Sequence, residues 1–144
     1  METNIRKNTK TTSPSVLYPE LSYDLVGIFF DVHKELGLYG REKQYADAIE
    51  LKLKLRNIPY ERELAISDSG NILDFLVDRK IILELKSKRM LTPDDFRQTQ
   101  HYLQETQMRL GLLVNFREKN IKPVRIVRID TVKKLQYKNE KESQ

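Results

Sequence analysis

The apolar period of this chain changes at Pro59, from helical spacing before it to alternation after it, and that change divides the sequence into a helical part and a sheet part. Upstream, Leu21, Leu25, Ile28, Phe29, Val32 and Leu36 recur at intervals of three and four. Ser22 is a candidate N-cap and Gly37 sits where a C-cap belongs. A second helix is predicted over 41–56, with Tyr45, Ala48, Ile49 and Leu53 inward, Leu51 and Leu55 widening one side, Lys52 interrupting the stripe and Asn57 near the end. Beyond Pro59, strands are predicted over 61–66, 72–77 and 81–86, separated by turn-rich stretches at 67–71 and 78–80. Thr92-Pro93-Asp94 offers a capped start for a helix over 96–105, and strands follow over 110–115 and 124–129. The order ααβββαββ implies an α/β fold, a mixed central sheet flanked by helices.

With 144 residues, 39% hydrophobic, the chain is sized for one domain, predicted over 18–130. The polar, Thr/Ser-rich segment 1–17 is expected to be a disordered arm, and the charged segment 131–144 a flexible tail. The chain has no cysteine, which removes disulfides and thiolate metal sites and fits a reducing cytoplasm. No apolar run approaches the roughly 20 residues that span a bilayer, and the polar start lacks the apolar stretch of a signal peptide, so no membrane association is expected. A net charge of +5 favours a polyanionic partner, as weak evidence taken alone.

Chemistry concentrates on the hairpin. With a three-residue loop at 78–80, Val77 pairs with Ile81 and Asp74 falls across from Glu84, Cβ atoms roughly 5 Å apart. Alternation then sends Glu84 and Lys86 to one face and Leu83 and Leu85 to the core. Asp74, Glu84 and the Leu85 carbonyl form a hard oxygen donor set suited to Mg²⁺, with Mn²⁺ as a substitute. Such a site fits phosphodiester hydrolysis, with Lys86 orienting water or steadying the charge of the transition state. The other reading of the same residues is a surface hairpin carrying a Glu–Lys pair at i, i+2, and spacing alone favours it.

The surroundings shift that balance. The segment FLVDRKIILELKSKRMLTPDDFRQTQHYLQETQMRLGLLVNF resembles the core of the GxxExxY proteins, a branch of the PD-(D/E)XK nuclease superfamily, and the resemblance extends over roughly residues 18–129. It implies a PD-(D/E)XK nuclease-like core, with Asp74 as the first acid and Glu84-Leu85-Lys86 as the E-x-K motif. Upstream, Val32 to Gly37 reads VHKELG, and Glu42 with Tyr45 matches the segment that names the family; the resemblance implies that Glu42 faces the metal as a further ligand. Tyr39 stands where that family has glycine, with Gly40 one position later. The ordinary alternative for Glu42 is to complement the positive end of its helix, and the two readings are balanced. Gln98 and Tyr102, four apart and so on one helix face, resemble the Q-x-x-x-Y element of lambda-exonuclease-like members, which implies that they position substrate or water. The alternative places Tyr102 in a core stripe with Phe96 and Leu103 and leaves Gln98 in solvent.

Lys86, Lys88 and Arg89 follow the acids, and Arg41 and Lys43 flank Glu42, giving a basic rim that would grip phosphates without reading bases. Arg125, Arg128, Lys133 and Lys134 are given no role. His33 and His101 are the only histidines, too few for a histidine zinc site, and His33 is expected to pack. The implied activity is metal-dependent nuclease action on nucleic acid, DNA ahead of RNA; the rival is a non-catalytic nuclease-fold module that binds nucleic acid or protein. A duplex substrate would favour a homodimer, because two strands need two sites.

Overall fold

A computed structural model gives the fold and describes residues 16–129. Its elements are α1 (Pro19–Leu36), α2 (Glu42–Leu55), β1 (Tyr60–Ile66), β2 (Asn71–Val77), β3 (Ile81–Lys86), α3 (Pro93–Thr106), β4 (Leu110–Asn115) and β5 (Val124–Val127). The order ααβββαββ is the predicted one. The five strands form one sheet in the order β1-β2-β3-β4-β5, antiparallel at every pairing except β3 with β4, which is parallel. A parallel neighbour requires a crossover, and α3 supplies it.

Helices on both faces explain why every residue from Ile81 to Leu85 and from Leu110 to Asn115 is buried. One face packs Phe75, Val77, Ile81, Leu83, Leu85, Leu110, Leu112 and Val114 against α1 and α2. The opposite face packs Leu73, Leu76 and Ile82 against Tyr102 and Leu103 of α3.

Several boundaries differ from expectation. Helix α1 begins at Pro19 rather than at a Ser22 cap, because proline has no N–H to satisfy and its fixed φ suits a first turn. Ser22 lies inside that turn, buried, its N–H bonded to the Tyr18 carbonyl at 2.9 Å. Leu51 and Leu55 stay exposed; Ala48 packs against the core as expected but only half-buried, and Ala46 joins the buried stripe of α2 beside it. Helix α3 starts at Pro93 with Thr92 as its N-cap, as that start signal implied, three residues before the periodic run at Phe96, and β5 stops at Val127 rather than 129. Of the arm expected over 1–17 only Val16 and Leu17 are described, and Leu17 packs against the larger core. The rest of that arm and the tail expected over 131–144, with Lys133 and Lys134, lie outside the described residues. Among the described residues no helix is long and apolar enough to cross a membrane.

Candidate active site

The hairpin register is the expected one: Val77 pairs with Ile81, Leu76 with Ile82 and Phe75 with Leu83. One step further the backbone ladder gives way to side chains. The Asp74 N–H donates to Glu84 Oε2 at 3.1 Å, and the Leu85 N–H donates to Asp74 Oδ2 at 2.7 Å. Each acid thus uses one oxygen to complete the splayed end of the hairpin, while Asp74 Oδ1 and Glu84 Oε1 accept no hydrogen bond among the described residues.

A change of faces aims Asp74. Residues two apart on a regular strand share a face. Yet Tyr60 packs on the α1/α2 side while Leu64 and Ile66 pack on the α3 side, and on β2 Phe75 and Val77 face α1/α2 while Leu73 faces α3. The exchange falls at Glu63 and Asp74, the one step between paired residues where no ladder pair forms, and Glu63 has φ +52°. Left-handed backbone on a glutamate within a strand is strained, and such strain gathers at functional positions. Asp74 and Glu63 consequently line one cavity of about 240 Å³ together with Glu42, Lys43, Ala46, Arg62 and Leu85.

Glu84 retains the parity of Ile82 and is 3% exposed. Burial, and then the Asp74 carboxylate, push its carboxyl up to about 8. Asp74 is raised as well, by burial first and then by Glu42 and Glu63, against the Leu85 N–H and Lys86, which lower it. Two acids are therefore held together with less positive charge than would ionise both. Lys86 Nζ donates to Gln98 Oε1 at 3.0 Å and lies 3.9 Å from Asp95 Oδ1. Tyr102 is buried, and its hydroxyl is raised by burial and then by the Glu84 and Asp74 charges, so it sits within their field. Phe96, by contrast, is exposed, and the core stripe of α3 is Thr99, Tyr102 and Leu103.

The structure thus brings Asp74, Glu84, Leu85, Lys86, Gln98 and Tyr102 to one end of the sheet. Glu42 borders the same cavity as Asp74, but its Oε2 accepts the Ser87 N–H at 3.2 Å. Among the described residues no three acids or histidines converge closely enough to enclose a metal ion. The donor chemistry still suits a hard cation: a buried Glu84 and a half-buried Asp74, each with a free oxygen and each pushed toward neutrality, would have their repulsion relieved by one divalent charge.

The rim is more paired than its sequence suggests. Lys88 Nζ bonds both oxygens of buried Asp95, at 2.9 and 3.1 Å, and Lys43 pairs with Asp47 at 3.0 Å. Arg125 bonds the Ser22 hydroxyl and the Leu17 carbonyl, and Arg128 the carbonyls of Gln107 and Met108. His33 Nε2 donates to the Glu118 carbonyl at 2.8 Å, a packing role. His101 is exposed beside Glu105.

Three participants escape a reading of the sequence. Glu63 looks like one polar residue of an alternating strand. Asp95 looks like a helix-start acid, and it does accept the Thr92 N–H at 2.7 Å, but it also anchors Lys88. Asn115 ties β4 to the segment after β3, accepting from the Lys88 N–H at 3.1 Å and donating to its carbonyl at 2.8 Å. The only local signal for Asp95 is its place three residues after Thr92; the other two have none.

A family model described as the PD-(D/E)XK nuclease superfamily matches residues 19–129. No curated protein matches the chain. A crystal structure of SSO0001 is similar at 19% sequence identity and a TM-score of 0.45, over 89% of this chain, which spans 64% of that protein's length.

Proposed function

We propose that this chain, which belongs to the PD-(D/E)XK nuclease superfamily, hydrolyses phosphodiester bonds of DNA with Mg²⁺. The observation that carries the proposal is the reciprocal pair of half-buried Asp74 and buried Glu84, short of positive charge, with Lys86 two residues beyond Glu84 on the same strand. Asp74, Glu84 and the Leu85 carbonyl would hold the ion, with Glu42 beside them; Mn²⁺ would serve the same donors. A divalent ion there supplies Lewis-acid polarisation of a phosphate and a more acidic water. Lys86 contributes a fixed ammonium near developing negative charge, steered by Gln98, and Tyr102 closes the α3 side of the acids against solvent.

Within the superfamily, the GxxExxY branch is the one we favour. Tyr45 is buried beneath the loop before α2 and bonded to it, and a Cβ on Gly40 would lie 2.9 Å from the Tyr45 ring, so glycine is required there in place of the usual position at Tyr39.

The test is cleavage of labelled single- and double-stranded DNA and RNA, with Mg²⁺, Mn²⁺ or EDTA, by wild type and Lys86→Ala. Cleavage of DNA that disappears in EDTA and falls at least about 100-fold in the variant is the expected result. Cleavage that persists in EDTA or in the variant overturns the reading. The lack, among the described residues, of a third converging acid favours one rival, a non-catalytic nucleic-acid-binding module. Salt-sensitive binding without cleavage under any metal would select it.

A further inference from the structure

A second groove, of about 510 Å³, lies beyond Glu42, and that residue lines both this groove and the cavity holding Asp74. Its other walls include Tyr39, Arg41, Ser87 and Arg117. Tyr39 is 81% exposed and takes no part in either core. Its loop is nevertheless clamped. The Tyr45 hydroxyl donates to the Gly37 carbonyl at 2.5 Å and accepts the Gly40 N–H at 3.0 Å, and the Ser87 hydroxyl donates to the Gly40 carbonyl at 3.0 Å. Tyr39 sits between these anchored points, so its backbone is tied on both sides while its ring stands in solvent.

Arg117 places its guanidinium 5.7 Å from the centre of the Tyr39 ring, and its own position is set by Phe116, which stacks on buried Tyr45 at 4.4 Å. Neither Arg117 nor Arg41 makes an ion pair among the described residues, unlike Lys88 and Lys43 of the same rim. An exposed ring on a hydrogen-bonded loop, flanked by unpaired guanidiniums and sharing the Glu42 wall with an acid-lined cavity, has the components that bind unpaired nucleotides: a face on which any base can stack, and cations for its phosphates.

We propose that this groove is a subsite for one unpaired nucleotide of the substrate strand, its base stacked on Tyr39 and its phosphate held by Arg117 and Arg41. The inference deepens the nuclease reading and rests on it for the path of the strand toward Asp74. It specifies a single-stranded or frayed substrate, because a base inside a duplex has no free face to offer.

The experiment measures binding of single-stranded oligonucleotides containing 2-aminopurine, as DNA and as RNA, with a blunt duplex as the comparison. It is done in EDTA so that no cleavage is needed. Wild type is expected to quench the 2-aminopurine and to prefer the single strand of at least one of the two nucleic acids. Tyr39→Ala should weaken that binding roughly 5- to 150-fold, the range for losing one base stack, while Tyr39→Phe keeps it. Arg117→Gln should reduce the slope of log affinity against log salt by about 1. Unchanged affinity in Tyr39→Ala, equal loss in Tyr39→Phe, or equal binding of the blunt duplex overturns the proposal. A wild type that quenches but never cleaves keeps the subsite and sinks the nuclease reading; one that cleaves without quenching does the reverse.

Discussion

The two faces of the sheet are held by different chemistry. Toward α1 and α2 the interface is apolar, with Leu25, Ile28, Phe29, Val32, Ile49 and Leu53 meeting Leu83, Leu112 and Val114, all without exposure. Toward α3 the apolar cluster is smaller, and Glu84, Asp95 and Thr99 are buried around it. That side is tied by polar links: Lys88 to Asp95, Ser67 and Asn71 to Glu105, and Gln100 to the Val127 carbonyl. Burying apolar area is the dominant stabilising term, whereas a buried carboxyl without full compensation opposes folding. The first face therefore supplies stability, and the second gives some of it up to hold acids in a dry setting.

Breaking the apolar face should have the largest effect on folding. Phe29 is fully buried and meets Phe116 edge-on at 6.1 Å. Phe29→Ala should cost about 3–5 kcal/mol, read from urea denaturation; a loss below about 1 kcal/mol would show that α1 is not the main buttress. Glu84→Gln should act in the opposite sense. Its carboxyl titrates near 8 in the fold against 4.5 as a free group, so the native state holds the proton more tightly and the wild type loses stability as pH rises from about 4.5 to about 8. Measured in EDTA, the variant should lose Glu84's share of that decline and overtake the wild type toward pH 8. A variant less stable than wild type at pH 8 would mean that Glu84 is a structural acid.

The contrast between faces was only partly legible in the sequence. The hairpin register was, because a short polar loop between matched apolar runs leaves one pairing that buries both, and Asp74 and Glu84 followed from it. The exchange of faces at Glu63 was not: burial alternates without a break along the strand, with Tyr60, Arg62, Leu64 and Ile66 more covered than Glu61, Glu63 and Ala65, although the side chains change sides midway. The contact of Glu42 with the Ser87 N–H joins residues 45 apart and depends on how two loops meet, which no local pattern encodes. Polar partners generally escape for that reason: apolar period reports which face is buried, while a hydrogen bond needs the third dimension.

A smaller effect tests how closely α3 must approach. A Cβ on Gly111 would lie 2.9 Å from Thr99 Cγ2, too close for packed atoms. Gly111→Ala should cost about 1–3 kcal/mol by wedging α3 from β4. Adding Thr99→Ser removes the obstructing methyl and keeps the hydroxyl that bonds the Asp95 carbonyl at 3.1 Å, so the pair should recover most of the loss. If the double variant is no better than Gly111→Ala, the contact is not what sets the spacing.

The smallest effect concerns the far end of α3, where polar links stand in for apolar area. Glu105 accepts from the Ser67 hydroxyl at 2.6 Å and from Asn71 Nδ2 at 3.1 Å, binding the β1–β2 turn to the helix. Hydrogen bonds from Ser67, then Ser69 and Asn71, hold its carboxyl down to about 2, against 4.5 as a free group. A depressed native value stabilises the fold above pH 4.5, and that contribution is lost as pH falls from about 4.5 toward 2. Glu105→Gln should therefore have a lower urea midpoint than wild type at pH 6, with the difference narrowing below pH 4.5 and vanishing near pH 2. A difference that stays constant across that range would mean that the turn is held by shape rather than by the charge, and that the two faces are more alike than their buried residues imply.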